Sequence, residues 1–281
     1  MEQYRMDEEK LRQYEQYLLE EEKSPSTCRK YLNDLQKFMK TLDAAGKVNK
    51  EIVVQYKRNL ITTYAETTVN GIVASLNSFF RRMGWYDCMI KSLKVQKEAF
   101  RSKKRELTKK EYYRLLEAAK RTRNKRLYLL IQTLGSTGIR ISELPFITVE
   151  ALESGYARVR MKGKCRTVLL PAPLRRQLRS YSKERNIRKG SIFITRSGRP
   201  MDRSNIFREL KALSENAGVD REKVFPHNFR HLFACCYYEL EKDIDHLADL
   251  LGHSSINTTR IYLTRSSEEQ ARKIESLGLI L

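Results

Sequence analysis

Apolar residues recur every three or four positions through the first part of the chain, the spacing that places them on one face of a helix. Leu11, Tyr14, Tyr17 and Leu18 form one such stripe. Ser24-Pro25-Ser26 breaks it and can cap a second helix, which carries Tyr31, Leu35, Phe38, Met39 and Leu42 and closes at Gly46. Ile52, Val53 and Tyr56 belong to a third. The fourth runs from Thr67 to Met83 on Val69, Ile72, Val73, Leu76, Phe79 and Phe80, with Gly84 as its C-cap. Core packing accounts for all four stripes, so residues 1–92 are expected to form a four-helix domain.

The period fails over residues 93–106. Phe100-Arg101-Ser102-Lys103-Lys104-Arg105 has no apolar face and reads as a basic linker, either a tether along a phosphate backbone or a solvated hinge. Thr108-Lys109-Lys110-Glu111 then has the form of a capping box and opens a new helix. Leu127 to Leu134 is helical, with Gly135 and Gly138 bracketing a turn, and Ile141 to Leu144 starts a short helix. Tyr156 to Met161 alternates, and Arg166 to Leu170 is β-rich. With Lys162-Gly163-Lys164-Cys165 between them, these segments predict a hairpin with a basic tip. Ile192-Phe193-Ile194 suggests a further strand, and the pattern is helical again from Asn205. The expected fold is mostly α with a small antiparallel β-sheet: the helical domain, the linker, and an α+β domain over residues 107–281.

Charge narrows the possible partners. The 281 residues carry a formal charge of +21, and it is unevenly spread. The first 23 residues hold eight acids and four bases, whereas residues 158–189 hold twelve bases and one acid. Such a balance calls for a polyanion, because each phosphate neutralised releases condensed counterions. An anionic membrane surface would also answer it, but no basic amphipathic anchor or lipidation motif is present. No apolar run approaches the roughly 18 residues that span a bilayer. The polar, acidic start does not read as a signal peptide, so a cytoplasmic protein is expected. Cys28, Cys88, Cys165, Cys235 and Cys236 form no Cys-x-x-Cys pair and are expected as reduced, mostly buried thiols.

Three segments carry candidate chemistry: Thr137-Gly-Ile-Arg140-Ile-Ser-Glu143-Leu144, His227-Asn-Phe-Arg230-His231, and Leu250-Leu-Gly-His253-Ser254 with Tyr262 nine positions on. Each alone has an ordinary explanation. Arg140 can pair with Glu143 on one helical turn, His227 can sit at a helix start, and Tyr262 can be a half-buried aromatic. His227 and His231 could suggest a metal pair, but no third ligand is nearby in sequence. Together the segments are coherent. Two guanidiniums can clamp the oxygens of one phosphate, two imidazoles can donate to it or move protons, and a phenol can attack phosphorus. The departing alkoxide needs an acid, which a hairpin Lys lowered in pKa by nearby Arg residues could supply.

In order and spacing these residues resemble the tyrosine recombinases of the phage-integrase family, close in layout to the simple Xer-type members. The family's Thr-Gly-x-Arg-x-Ser-Glu-Leu box matches Thr137 to Leu144; its His-x-x-Arg box matches His227 and Arg230; its Leu-Gly-His box matches Leu251 to His253; its nucleophile matches Tyr262. The hairpin departs from the usual Gly-Lys-Gly-x-Lys-x-Arg. Met161-Lys162-Gly163-Lys164-Cys165-Arg166 is one residue shorter and lacks the leading Gly. Lys162 aligns with the catalytic lysine, and Lys164 is the alternative.

The resemblance implies an α-helical, SAM-like core-binding domain ahead of a catalytic domain with a C-terminal tail helix. It implies that Tyr262 attacks a scissile phosphate held by Arg140 and Arg230, that His227 and His253 assist, that Lys162 protonates the 5′ oxygen, and that Glu143 orients Arg140. It implies DNA contacts by Arg101, Lys103, Lys104, Arg105, Lys164 and Arg166, no metal and no cofactor. The partners implied are double-stranded DNA with paired inverted-repeat core sites and a tetramer joined through the tail at residues 267–281, associated with the nucleoid. An additional N-terminal arm-binding domain is not expected, since the first helix begins within about ten residues of the start. A type IB topoisomerase-like enzyme and a catalytically silent DNA-binding regulator are the competing functions.

Overall fold

A computed structural model of the chain describes residues 4–95, 105–161, 164–253, 255–260 and 276. The chain forms two compact units, Met1–Lys97 and Glu98–Leu281. The expected linker, 93–106, straddles that division.

The first unit is built from α1 (Glu8–Glu20), α2 (Pro25–Met39), α3 (Lys50–Thr63) and α4 (Glu66–Met83). Local chemistry sets the starts. Asp7, Ser24 and Asn49 each accept a hydrogen bond from a backbone N–H in the first turn of α1, α2 and α3, and Pro25 opens α2. The apolar stripes meet in a core of Tyr14, Leu18, Leu35, Phe38, Val73, Phe79 and Phe80, all fully buried. Phe79 packs edge-on against Tyr14 and Trp85 with ring centroids 5.3 and 5.5 Å apart. Asp34 is buried too, and its Oδ2 accepts from Lys30 Nζ at 2.6 Å and Ser75 Oγ at 2.7 Å. Two features had no periodic signal. β1 (Tyr4–Arg5) pairs antiparallel with β2 (Lys47–Val48). Asn70 and Asn77, two turns apart on α4, each use the side-chain amide to hold both backbone groups of one residue, Leu93 and Ile90.

The second unit opens with α5 (Lys109–Arg121), started by the complete Thr108–Glu111 capping box. α6 (Lys125–Thr137) follows and packs against α5 and α10 (Pro226–Glu241). Gly135 lies within α6, against the Tyr112 ring, and Gly138 alone ends the helix, so the expected bracketed turn is one residue wide. A 3-10 turn (Ile141–Phe146) and α7 (Val149–Ser154) lead to the hairpin β3 (Tyr156–Met161) and β4 (Lys164–Leu169). Its register pairs Met161 with Lys164 and Val159 with Arg166. α8 (Ala172–Glu184), on Leu174, Leu178 and Tyr181, was hidden in the sequence behind Pro171 and Pro173, which prove to be its start. α9 (Arg203–Asn216), α11 (Ile244–Leu251) and the short α12 (Ile256–Arg260) complete the described helices.

Two expectations are corrected here. Ile192-Phe193-Ile194 forms no extended strand: isolated bridges join Ser191, just before it, to Thr148 and Ile194 to Pro200. The chain doubles back there through a tight turn, with Thr195 N–H donating to Arg199 O, and Pro200 has no N–H to continue a ladder. Of the five thiols only Cys28 and Cys88 are buried; Cys165 is exposed on β4, and Cys235 and Cys236 are half-buried on α10. No described helix is long and apolar enough to cross a membrane.

Candidate active site

The second unit brings residues far apart in sequence to one cleft of about 710 Å3, lined by Arg140, Glu143, Met161, Cys165, Arg166, Gly252, His253 and Thr258 among others. Each side chain is aimed by local structure. Gly138 ends α6 in the left-handed conformation, and Arg140 stands just beyond as the N-cap of the 3-10 turn. Pro226 opens α10, which carries His227 exposed at its second residue and Arg230 buried one turn later. Gly252 ends α11 and turns the chain into His253.

Arg230 is 3% exposed. Its Nη1 donates to Gly138 O at 2.5 Å, and its Nη2 lies 2.7 Å from Leu251 O and 2.9 Å from His253 Nε2. The guanidinium therefore joins the Arg box to the Leu-Gly-His segment. Arg140 keeps 38% of its side chain exposed, donates from Nη1 to Glu143 Oε1 at 2.9 Å, and reaches Gly252 O from Nη2 at 3.1 Å. A half-open guanidinium beside a buried one is an arrangement that can grip a phosphate from one side.

Glu143 is 4% exposed and accepts from both arginines beside it. The Arg140 backbone N–H and Arg166 Nη2 donate to Oε2 at 2.9 and 2.5 Å; Arg140 Nη1 and Arg166 Nε donate to Oε1 at 2.9 and 3.2 Å. Burial pulls the Glu143 carboxyl up, but the hydrogen bonds from Arg166 and Arg140 outweigh it and hold it below the usual carboxylate range. Arg166 was expected at a DNA phosphate. In the structure its side chain is 10% exposed, with Nε and Nη2 on Glu143 and Nη1 on Leu250 O at 2.9 Å.

His253 is held at both ring nitrogens. Arginine can only donate, so Nε2 accepts from Arg230, and Nδ1–H donates to Thr259 Oγ1 at 2.8 Å. Burial, then the charges of Arg230, Arg140, Arg166 and His227, push its pKa down to about 4. Near neutral pH the ring is thus uncharged, with its unprotonated Nε2 facing Arg230. Thr259, fully buried in α12, was absent from the candidate residues. A hydroxyl three positions before Tyr262 and six after His253 is a weak sequence signal. His231 is buried and faces Glu106 at 3.5 Å, while its neighbour one turn back, His227, is exposed.

Arg105 is described and exposed, its carbonyl accepting from Asn228 Nδ2 at 2.8 Å. Arg101, Lys103, Lys104, Lys162 and Tyr262 lie outside the described residues, as do the Lys164 side chain and the tail apart from Ser276.

With this geometry in hand, known proteins supply a comparison. The phage integrase family matches residues 105–269, and the N-terminal SAM-like domain of phage integrases matches residues 11–85. The chain is 31% identical over 283 aligned positions to tyrosine recombinase XerA of Thermococcus kodakarensis, spanning 96% of this chain and 97% of that one. Among solved structures, the XerH site-specific recombinase bound to its difH substrate, in a pre-cleavage complex, superposes with a TM-score of 0.69 at 19% identity over 96% of this chain and 84% of that one. A lambda integrase tetramer bound to a Holliday junction gives 0.73 at 18% identity over 90% and 76%. Likeness at these identities speaks for a shared fold.

Proposed function

The chain belongs to the phage integrase family, and from that premise we propose that it is a tyrosine-type site-specific DNA recombinase, cutting and rejoining double-stranded DNA at paired inverted-repeat core sites. The observation that supports this most directly is the convergence of Arg140 and His253 at one cleft beside the hairpin, with Arg230 from a third segment buried against His253 Nε2.

In this mechanism Arg140 and Arg230 hold the non-bridging oxygens of the scissile phosphate and neutralise the charge that builds in the transition state. The Tyr262 phenol attacks phosphorus, and its proton passes to an imidazole, His253 being neutral and His227 standing at the mouth of α10. The bond from phosphorus to the 5′ oxygen breaks, and Lys162, with Lys164 as the alternative, gives that oxygen its proton. The products are a 3′-phosphotyrosyl bond and a free 5′-hydroxyl. Attack by a 5′-hydroxyl from a partner duplex reverses each step, and two rounds pass through a Holliday junction. The phosphotyrosine keeps the bond energy, so the exchange needs no nucleotide. Arg101, Lys103, Lys104 and Arg105 contribute to phosphate binding, residues 1–92 grip the core site, and residues 267–281 dock on a neighbouring subunit of a tetramer. The enzyme works on the nucleoid.

Covalent capture tests this reading. Wild-type and Tyr262→Phe protein are expressed, the cells are denatured, and protein-linked DNA is sequenced. Adducts in the wild type alone, focused on a short inverted repeat, are expected. Adducts scattered without sequence preference would favour a strand-relaxing enzyme, and equal recovery from both proteins would remove Tyr262 as nucleophile.

A further inference from the structure

Arg166 stands where the hairpin meets the arginine cluster. It lies on β4 opposite Val159, two rungs from the Met161–Lys164 pair that flanks Lys162 and Gly163. Its stem passes directly over Gly252: a Cβ there would lie 2.6 Å from Arg166 Cδ. Its head is fixed to both oxygens of Glu143 and to Leu250 O. The same Glu143 oxygens hold Arg140. A two-stranded ribbon is a marginal element unless something ties it down, and this sheet has two strands.

We propose that Arg166 is a positioning residue for the general acid: through Glu143 and Leu250 O it sets the distance between the hairpin that contains Lys162 and the phosphate held by Arg140. This rests on the recombinase reading above. The alternative role, a DNA backbone contact, would have to use the two N–H groups that these three bonds leave on Nη1 and Nη2. Arg166 touches no reacting atom. It joins β4 to Arg140 of the phosphate clamp, with one carboxylate as the common joint.

The chemistry offers a direct test. Replacing the 5′-bridging oxygen by sulfur creates a leaving group that departs as a thiolate and needs no proton, so a missing or misplaced acid ceases to matter. Nicked suicide duplexes bearing the core site recovered by covalent capture are prepared with oxygen or sulfur at that position. Adduct formation is timed for wild type, Lys162→Ala, Arg166→Met and Arg166→Lys, and DNA affinity is measured across a salt series. On the oxygen substrate Arg166→Met is expected to bind within about threefold of wild type yet cleave about 100-fold more slowly, the size of a general-acid contribution. On the sulfur substrate it should return to within about tenfold of wild type, as Lys162→Ala does, with Arg166→Lys less impaired throughout. If Arg166→Met does not fold, the same pair of rates for Arg166→Lys decides.

Persistent slowness of the Arg166 variants on sulfur, with Lys162→Ala restored, would overturn the proposal and assign the defect to Arg140. Weakened binding with a salt slope smaller by about one would also overturn it, in favour of a phosphate contact. Failure of sulfur to restore Lys162→Ala would sink the acid assignment, and the proposal with it. A wild type that forms no adduct would sink the recombinase reading itself.

Discussion

The two units bury different kinds of side chain. In the first, the described core is aliphatic and aromatic, with Asp34 and Ser75 as its buried polar pair. In the second, the core also encloses Glu143, Asn228, Arg230, His231 and Thr259. A buried charge is costly unless hydrogen bonds replace its lost water, and here they do so by crossing between segments: Arg230 reaches Gly138 O and Leu251 O, and Glu143 reaches Arg140 and Arg166. The first unit is therefore held by contacts that carry no chemistry, whereas in the second the residues that would act on phosphate also close the fold. Stability and function should separate in one unit and move together in the other.

The sharpest way to break that comparison pairs Phe79→Ala with Arg230→Ala. Removing the fully buried Phe79 ring should cost about 3–5 kcal/mol, through lost burial and a cavity. Hydrogen exchange should then quicken in α1–α4 while amides around Arg230 keep their protection. Arg230→Ala orphans two backbone carbonyls and should cost about 3 kcal/mol together with nearly all adduct formation. Arg230→Lys restores charge but not a planar fork that spans three partners, so stability should recover in part and rate hardly at all. An Arg230→Ala protein with wild-type denaturation would show that the buried cluster contributes nothing to closing the fold.

Two helix-ending glycines give a finer contrast. Gly84 and Gly138 end α4 and α6 with φ of 75° and 58°. An alanine at either must adopt a left-handed backbone, at roughly 1–2 kcal/mol. At Gly84 its Cβ meets nothing within 4 Å, whereas at Gly138 it would lie 2.5 Å from Phe233 Cδ1 and 3.0 Å from Leu251 Cδ2. Gly138→Ala should thus cost a further ~1–3 kcal/mol from overpacking and shift Arg140, two residues on. Denaturant midpoints measure the first effect and adduct rates the second; equal losses for the two variants would remove the packing argument.

The same contrast explains what could be read in advance. The four helices of the first unit follow from stripes within one segment each, and Ser24, Thr108 and Gly84 sit at boundaries where local chemistry suffices. Partnerships in the second unit are long-range and leave no period: Arg140 finds Gly252 O 112 positions away, and Arg230 finds Gly138 O 92 positions back. The three segments could be recognised only as motifs. The pairing of Arg166 with Glu143 was not legible because cations near a basic hairpin tip look alike. Strand parity held the clue, since Arg166 shares a face with the buried Val168 while Cys165 and Thr167 are exposed. The amide hooks of Asn70 and Asn77 were illegible because they bind backbone, which has no sequence.

Thr259 offers a smaller effect confined to the second unit. Thr259→Val keeps shape but removes the acceptor for His253 Nδ1–H. A neutral hydrogen bond is worth about 1 kcal/mol, so a rate loss of roughly fivefold is expected, with Thr259→Ser close to wild type. The decisive reading is the ring itself: nitrogen chemical shifts should report a single Nδ1–H tautomer in wild type and Thr259→Ser, and a mixture in Thr259→Val. One tautomer in all three would leave Arg230 alone as the orienting group.

Acidification should weaken the second unit in a way traceable to one ring. His253 titrates near 6.5 when unfolded and near 4 in the fold, because burial and then Arg230, Arg140, Arg166 and His227 oppose its charge. The unfolded chain therefore binds this proton more readily, and stability falls as pH drops below about 6.5, the loss being complete below about 4. Above 6.5 the ring is neutral in both states and contributes no slope. Glu143 acts in the same direction further down: its lowered carboxyl favours the fold above the ordinary carboxylate range and loses that advantage as pH falls through its folded value. Denaturation of wild type and His253→Asn between pH 7.5 and 4 separates the two. The variant should lack the part of the slope that begins near 6.5 and keep the part that begins lower; identical slopes would mean that His253 meets protons as freely in the folded cleft as in the open chain.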